Sequence, residues 1–96
     1  MSQWKAWRKS SNGSPVEIAR EAVQQLQGLT GRPIEAVLGI EKDWREWAVA
    51  VEVLELERVP NTTDILGQYE VRLDNKGEIV SVRRARRYLR SQSGEN

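Results

Sequence analysis

Apolar residues in the first third of the chain recur at helical spacing. Ile18, Ala19, Ala22, Val23 and Leu26 form one stripe, with Arg20, Glu21, Gln24, Gln25 and Gln27 opposite it. Ser14 suits the N-cap, Pro15 the first helical position, and Glu17 completes a capping box. Gly28 or Gly31 stops the run and Pro33 prevents a restart. The pattern predicts a helix over residues 15–28.

Beyond Pro33 the period changes to two. Ile34, Ala36, Leu38 and Ile40 alternate with Glu35, Val37, Gly39 and Glu41, which predicts a first strand, and Lys42 to Arg45 turn the chain. Trp47, Val49, Val51 and Val53 alternate with Ala48, Ala50, Glu52 and Leu54 in a second strand that runs on through Glu57. Its phase blurs near Val53-Leu54, where a bulge would fit. Arg58 to Asp64, with Pro60, leads to a third alternating run: Ile65, Gly67, Tyr69, Val71 and Leu73. Asp74-Asn75-Lys76-Gly77 reads as a hairpin turn, with Gly77 supplying a positive φ. A fourth strand follows from Glu78 to Arg84 or beyond. One helix and then four strands with short connections predict an α+β fold: an N-terminal helix packed on a four-stranded antiparallel meander sheet, in two layers. The domain is expected over 14–90. Residues 1–13, ending in Ser10-Ser11-Asn12-Gly13, read as a flexible basic and aromatic tail, and 91–96 as a disordered C-terminal tail.

The hairpin sets Leu73 and Val71 near Glu78 and Val80, and Tyr69 near Val82. The helix-covered face then gathers Val49, Val51, Val53, Tyr69, Val71, Leu73, Val80 and Val82. The other face gathers Ala50, Glu52, Leu54, Leu56, Leu66, Gln68, Glu70, Arg72, Ile79, Ser81 and Arg83. One helix cannot cover both faces, so Leu54, Leu56, Leu66 and Ile79 are expected among charges on an open face. That face is either an ordinary sheet surface or a docking surface.

Composition narrows the chemistry. A chain of 96 residues is one domain with a thin core. It has neither His nor Cys, which removes the commonest general base, the commonest metal ligands and any thiol nucleophile. Lys5, Lys9, Lys42 and Lys76 sit in the tail or in turns, no glycine-rich phosphate loop occurs, and no calcium-loop spacing appears. Glu52, Glu55 and Glu57 form an acidic cluster whose expected role is pairing with C-terminal arginines. No catalytic residue, metal or cofactor is expected. No run approaches the ~18 apolar residues of a membrane span, so a cytoplasmic protein is expected.

The net charge of +1 hides a segregation: residues 1–13 carry +3, residues 14–75 carry −6 and residues 76–96 carry +4. The densest feature is Arg83-Arg84-Ala85-Arg86-Arg87-Tyr88-Leu89-Arg90, with five arginines in eight residues. Three readings stay open for it. The arginines pair with acids inside the fold, they take an acidic protein partner, or they clamp phosphates while Tyr88 stacks on a base. The last makes a nucleic-acid-binding regulator the alternative function. Trp4 and Trp7, beside Lys5, Arg8 and Lys9, read either as an anchor for a partner groove or membrane surface or as an unstructured tail.

Several stretches together resemble the gas vesicle protein O family. They are Glu55-Leu56-Glu57-Arg58-Val59-Pro60-Asn61-Thr62-Thr63-Asp64-Ile65-Leu66, then Tyr69-Glu70-Val71, Asp74 to Gly77, and Arg83-Arg84-Ala85-Arg86-Arg87-Tyr88. Leu29-Thr30-Gly31-Arg32-Pro33 and the Trp47 to Val53 strand add to the likeness, which covers about residues 16–90. The resemblance implies a small cytoplasmic accessory protein that supports assembly of the gas vesicle shell without forming its main wall, and that associates with gas vesicles. It implies no catalytic residues. The partners it implies are other gas vesicle accessory proteins, with the ATPase-like gas vesicle protein N a candidate, or the shell subunit. Charge-steered docking through Arg83, Arg84, Arg86, Arg87 and Tyr88, the acidic cluster, or the apolar residues of the open face would fit that role.

Overall fold

The computed structural model describes residues 14–93. The expected tail at 1–13, with Trp4 and Trp7, lies outside the described residues, as do residues 94–96. Helix α1 (Pro15–Thr30) starts where the sequence predicts. The Ser14 side chain accepts a hydrogen bond from the Glu17 amide, and Pro15 stands in the first turn. The helix passes through Gly28 and ends at Gly31, which is left-handed at φ 68 and donates its N–H to the Gln27 carbonyl. Ile18, Ala22 and Leu26 are its buried stripe.

Strands β1 (Ile34–Lys42), β2 (Trp47–Leu56), β3 (Ile65–Leu73) and β4 (Ile79–Leu89) follow, with a single 3-10 turn at Asn61–Thr63 before β3. They form one antiparallel sheet in the order β1-β2-β3-β4. The architecture is the expected α+β meander. The short helix α2 (Arg90–Ser93) closes the described chain with one turn, where the sequence predicts fraying from Ser91.

The phase of the strands departs from strict alternation at five bulges. The ladder skips Glu35 and Leu38 on β1, Glu55 on β2, and Val80 and Ala85 on β4. Each skipped residue moves everything after it to the other face. On the helix's side the cross-strand rows are Ile40–Val49–Val71–Val82, Val37–Val51–Tyr69–Arg84 and Ile34–Val53–Gly67–Arg87. Leu73 faces Ile79, not Glu78. Ile79 therefore packs on the core while Val80 and Leu38 are exposed, the reverse of the predicted placement. The bulge on β2 sits at Glu55, just past Val53-Leu54.

The core cluster is Ile18, Ala22, Leu26, Trp47, Val49, Val51, Val53, Val71 and Leu73. The helix packs against β1, β2 and β3. Gln25, predicted on the outer face of the helix, instead pins it to the hairpin: its Nε2 donates to the Gly77 carbonyl at 2.7 Å and its Oε1 accepts from the Ile79 amide at 3.2 Å. Gly77 is at φ 88, as the turn requires.

Leu26→Ala, at the centre of this contact, is expected to lose about 2–5 kcal/mol in urea unfolding. Leu29→Ala, on the exposed side of the same helix, is expected to stay within about 0.5 kcal/mol of the parent. Equal losses would place the core elsewhere.

Candidate functional site

Five arginines lie between residues 83 and 90, and a strand sends alternate side chains to opposite faces. Arg84 and Arg87 fall on the helix's side of the sheet, at the β4 ends of rows whose Val51 and Val53 pack in the core with the helix. There they meet Glu55. Its carboxylate, only 3 % exposed, takes Arg84 Nη1 at 3.3 Å and Arg87 Nε at 3.0 Å on one oxygen, and accepts the Tyr69 hydroxyl at 2.6 Å on the other. The bulge puts it there, because the unpaired residue is released from the ladder. It lies directly over Gly67. A Cβ on that residue would collide with the carboxylate, whose Cδ would be 2.8 Å away. Burial, and then the hydrogen bond to Glu55, raise the pKa of Tyr69.

On the opposite face Arg83 pairs with Glu70 at 2.6 Å. Arg72 pairs with Glu46 at 2.9 Å and lies 3.4 Å from Asp43 in the β1–β2 hairpin. Tyr88 donates to Glu52 at 2.7 Å, and Arg86 stacks on the Tyr88 ring at 4.6 Å. Burial, and then the bond to Glu52, push the Tyr88 hydroxyl up to about 12. A third cluster closes the chain's end. Asp64, also 3 % exposed, accepts the Arg58 amide at 2.7 Å and takes two nitrogens of Arg90 at 3.0 Å. Arg90 also reaches Glu35 on β1 at 3.0 Å.

The sequence-predicted residues therefore divide. Arg83, Arg84, Arg87, Glu52, Glu55 and Tyr88 join the paired clusters, and Arg86 caps one of them. Glu57 is exposed and outside them. The four apolar candidates do not share an open face. Leu66 is fully buried and Leu54 is half-buried in the row Leu54–Leu66–Tyr88. Leu56, exposed, lies past the Glu55 bulge opposite Ile65, and Ile79 belongs to the core side. The open face is instead a shallow groove of ≈ 420 Å³ over Gly39, Ala48, Ala50 and Ala85, rimmed by Gln68, Glu70 and Arg83. Asp64, Tyr69 and Arg32 carry contacts that the sequence reading did not assign. Gly67 is a signal for Glu55 alone, since a glycine inside a strand marks a close approach and the Glu55 side chain is what approaches it. Among the described residues no group of three His, Cys, Asp or Glu is placed to hold a metal ion, and no helix is long and apolar enough to cross a membrane.

Known proteins give a consistent match. A family described as "Gas vesicle synthesis protein GvpO" matches residues 2–94. The chain is 48 % identical over 80 residues to gas vesicle protein O of Streptomyces sp. (strain CB03234). It is 36 % identical over 77 residues to gas vesicle protein O1 of Halobacterium salinarum, and 35 % over 78 residues to gas vesicle protein O of Haloferax mediterranei. The chain belongs to the gas vesicle protein O family. These matches cover 83 %, 80 % and 80 % of the chain but 62 %, 62 % and 54 % of the relatives' lengths, so the chain spans less than two thirds of the relatives. No solved structure matches. The stretches that carry the gas vesicle protein O likeness now have a physical role. Glu55 and Asp64 bracket one of them, and the arginine run that makes up another supplies Arg84 and Arg87 to Glu55, just ahead of the Arg90 that binds Asp64.

Gly67→Ala is expected to cost about 1–3 kcal/mol in urea unfolding by crowding the Glu55 carboxylate. Gly28→Ala, with open space around it in the helix, is expected to be neutral or to stabilise by up to about 1 kcal/mol. Parental stability in Gly67→Ala would mean that the carboxylate moves aside at no cost.

Tyr88 holds its proton more tightly folded than unfolded, so its contribution to stability is complete below pH 10.0, the ordinary tyrosine value, and is lost as pH rises through about 12. Phenolate absorbance of the native protein is expected to rise later than that of the urea-unfolded chain. Coincident curves would show that neither burial nor the Glu52 bond holds the Tyr88 proton.

Proposed function

We propose that the chain is a non-enzymatic accessory protein of gas vesicle assembly, acting in the cytoplasm through contacts with other gas vesicle proteins. Family membership over nearly the whole chain carries this reading. The geometry agrees with it. The carboxylates that lie out of water, Glu55 and Asp64, are occupied by arginines and a tyrosine, so neither is poised for acid–base work. What the protein offers outward is a charged strand, a shallow groove on an open sheet face, and an acidic middle opposite a basic end. Such surfaces suit weak, steered association.

The partners on this reading are other accessory proteins, an ATPase-like one included, or the shell subunit. The nucleic-acid alternative loses support, because Arg83, Arg84, Arg87 and Arg90 already face carboxylates and only Arg86 stacks instead. Clamping phosphates along the whole run would require Arg83 and Arg90 to leave their carboxylates.

The test is a pull-down of the purified, nuclease-treated chain against each gas vesicle accessory protein and the shell subunit, at ~50 and ~300 mM salt. Capture of at least one of them, weaker at high salt, is expected. Capture of none, with nucleic acid co-purifying before nuclease treatment, would overturn the reading in favour of a regulator.

A further inference from the structure

Arg32 stands just past the cap of α1, a position to which the sequence assigns no role. Its Nη1 donates to the backbone carbonyl of Glu55 at 2.6 Å. Arg84 and Arg87 meet the carboxylate of that same residue at 3.3 and 3.0 Å. Three guanidinium groups from segments more than 50 residues apart thus converge on one residue, with one carboxylate among them. The cluster keeps a surplus of two positive charges. Each guanidinium has several N–H donors, and the bonds to Glu55 engage only part of each. Arg84 and Arg87 remain 47 % and 51 % exposed, and Arg32 is exposed as well. The remaining donors therefore face water, yet the three groups are already held in place. Ordering them again on binding costs less entropy than fixing loose arginines.

We propose that Arg32, Arg84 and Arg87 form a preorganised seat for an acidic segment of a partner protein, taking two neighbouring carboxylates in the bidentate geometry that guanidinium favours. This seat rests on the reading of the chain as a protein-binding factor and gives that factor's partner a chemistry. The three cations gather on Glu55, Arg32 at its carbonyl and Arg84 and Arg87 at its carboxylate. A nucleic acid needs a row of phosphate contacts, but Arg83 on β4 and Arg90 just past it are committed to Glu70, Asp64 and Glu35, and Arg86 stacks on Tyr88. Glu57, exposed two residues beyond Glu55, adds a negative charge that a long polyanion would have to pass. A short acidic segment avoids it.

The experiment measures fluorescence anisotropy of a fluorescein-labelled hexaglutamate peptide with the full chain at ~30 mM salt, and again at ~300 mM. Binding is expected at low salt, weakened about fivefold by Arg32→Gln and by Arg87→Gln, and unchanged by Arg45→Gln in the β1–β2 hairpin. The Arg32 side chain donates to a backbone carbonyl from an exposed position, and its amide bond to the Thr30 hydroxyl survives the substitution, so Arg32→Gln is expected to melt with the parent. If Arg87→Gln fails to fold, Arg32→Gln decides alone. Three results would overturn the seat: no hexaglutamate binding at low salt, equal weakening by Arg45→Gln, or tighter binding of an oligothymidine of equal charge that the same variants abolish. The pull-down above separates the two claims. Gas vesicle proteins captured equally by the parent and by Arg32→Gln would sink the seat and leave the functional reading standing. Hexaglutamate binding as expected, with no gas vesicle protein captured, would do the opposite.

Discussion

Glu55 lies with its carboxylate almost wholly out of water, and a charge in that position persists only with partners. A helix of 16 residues is about 24 Å long and one side chain deep, so it covers part of one face of a four-stranded sheet. On β2 and β3 the apolar rows continue beneath it. On β4 they stop at Val82, and Arg84 and Arg87 stand where valines would otherwise be needed. The uncovered corner is thus closed by one acid, two arginines and a tyrosine hydroxyl. That arrangement in turn requires the bulge that frees Glu55 and the glycine beneath it. Asp64 does the same at the chain's end, drawing Arg90 back across the turn before β3 and onto Glu35 of β1.

The helix, the four strands, their order and both hairpins are legible in the residues, because capping, turn chemistry and period are local signals. The faces were half legible. Val49, Val51, Val53, Val71 and Leu73 fall where alternation puts them, since β2 and β3 run unbroken there. Ile79, Val80, Leu38 and Leu56 do not, because a bulge inserts one residue and carries no reliable mark in a single sequence. For the same reason the predicted apolar docking face dissolves: Leu66 is buried within its own row and Ile79 belongs to the core. Pairing between the acidic middle and the arginine run was among the readings that charge segregation left open. Which acid meets which arginine was not legible, because partners as distant as Glu35 and Arg90 meet only once the register is known.

The family likeness and the physics meet at this point. The stretches that identify a gas vesicle protein O are long, specific and rich in charge, which invites a search for a binding site within them. Much of that charge is turned inward on the fold. The arginine run holds the β2–β3–β4 corner shut, and only what those contacts leave over faces outward. A surface built this way is stiff, because each exposed guanidinium is anchored at one end. It also depends on the fold beneath it, because the carboxylate that anchors Arg84 and Arg87 is almost wholly out of water.

The bulges have a consequence beyond the placement of side chains. β1 and β4 are the outer strands, and each is interrupted twice, so neither offers another chain more than four regularly spaced residues in a row. The outermost strand on one side also carries arginines on both of its faces. Backbone pairing along either border would have to bend around every interruption, and along β4 it would also crowd arginines together. Both borders therefore disfavour extension of the sheet by another strand, which leaves its two faces as the regular surfaces of the described residues.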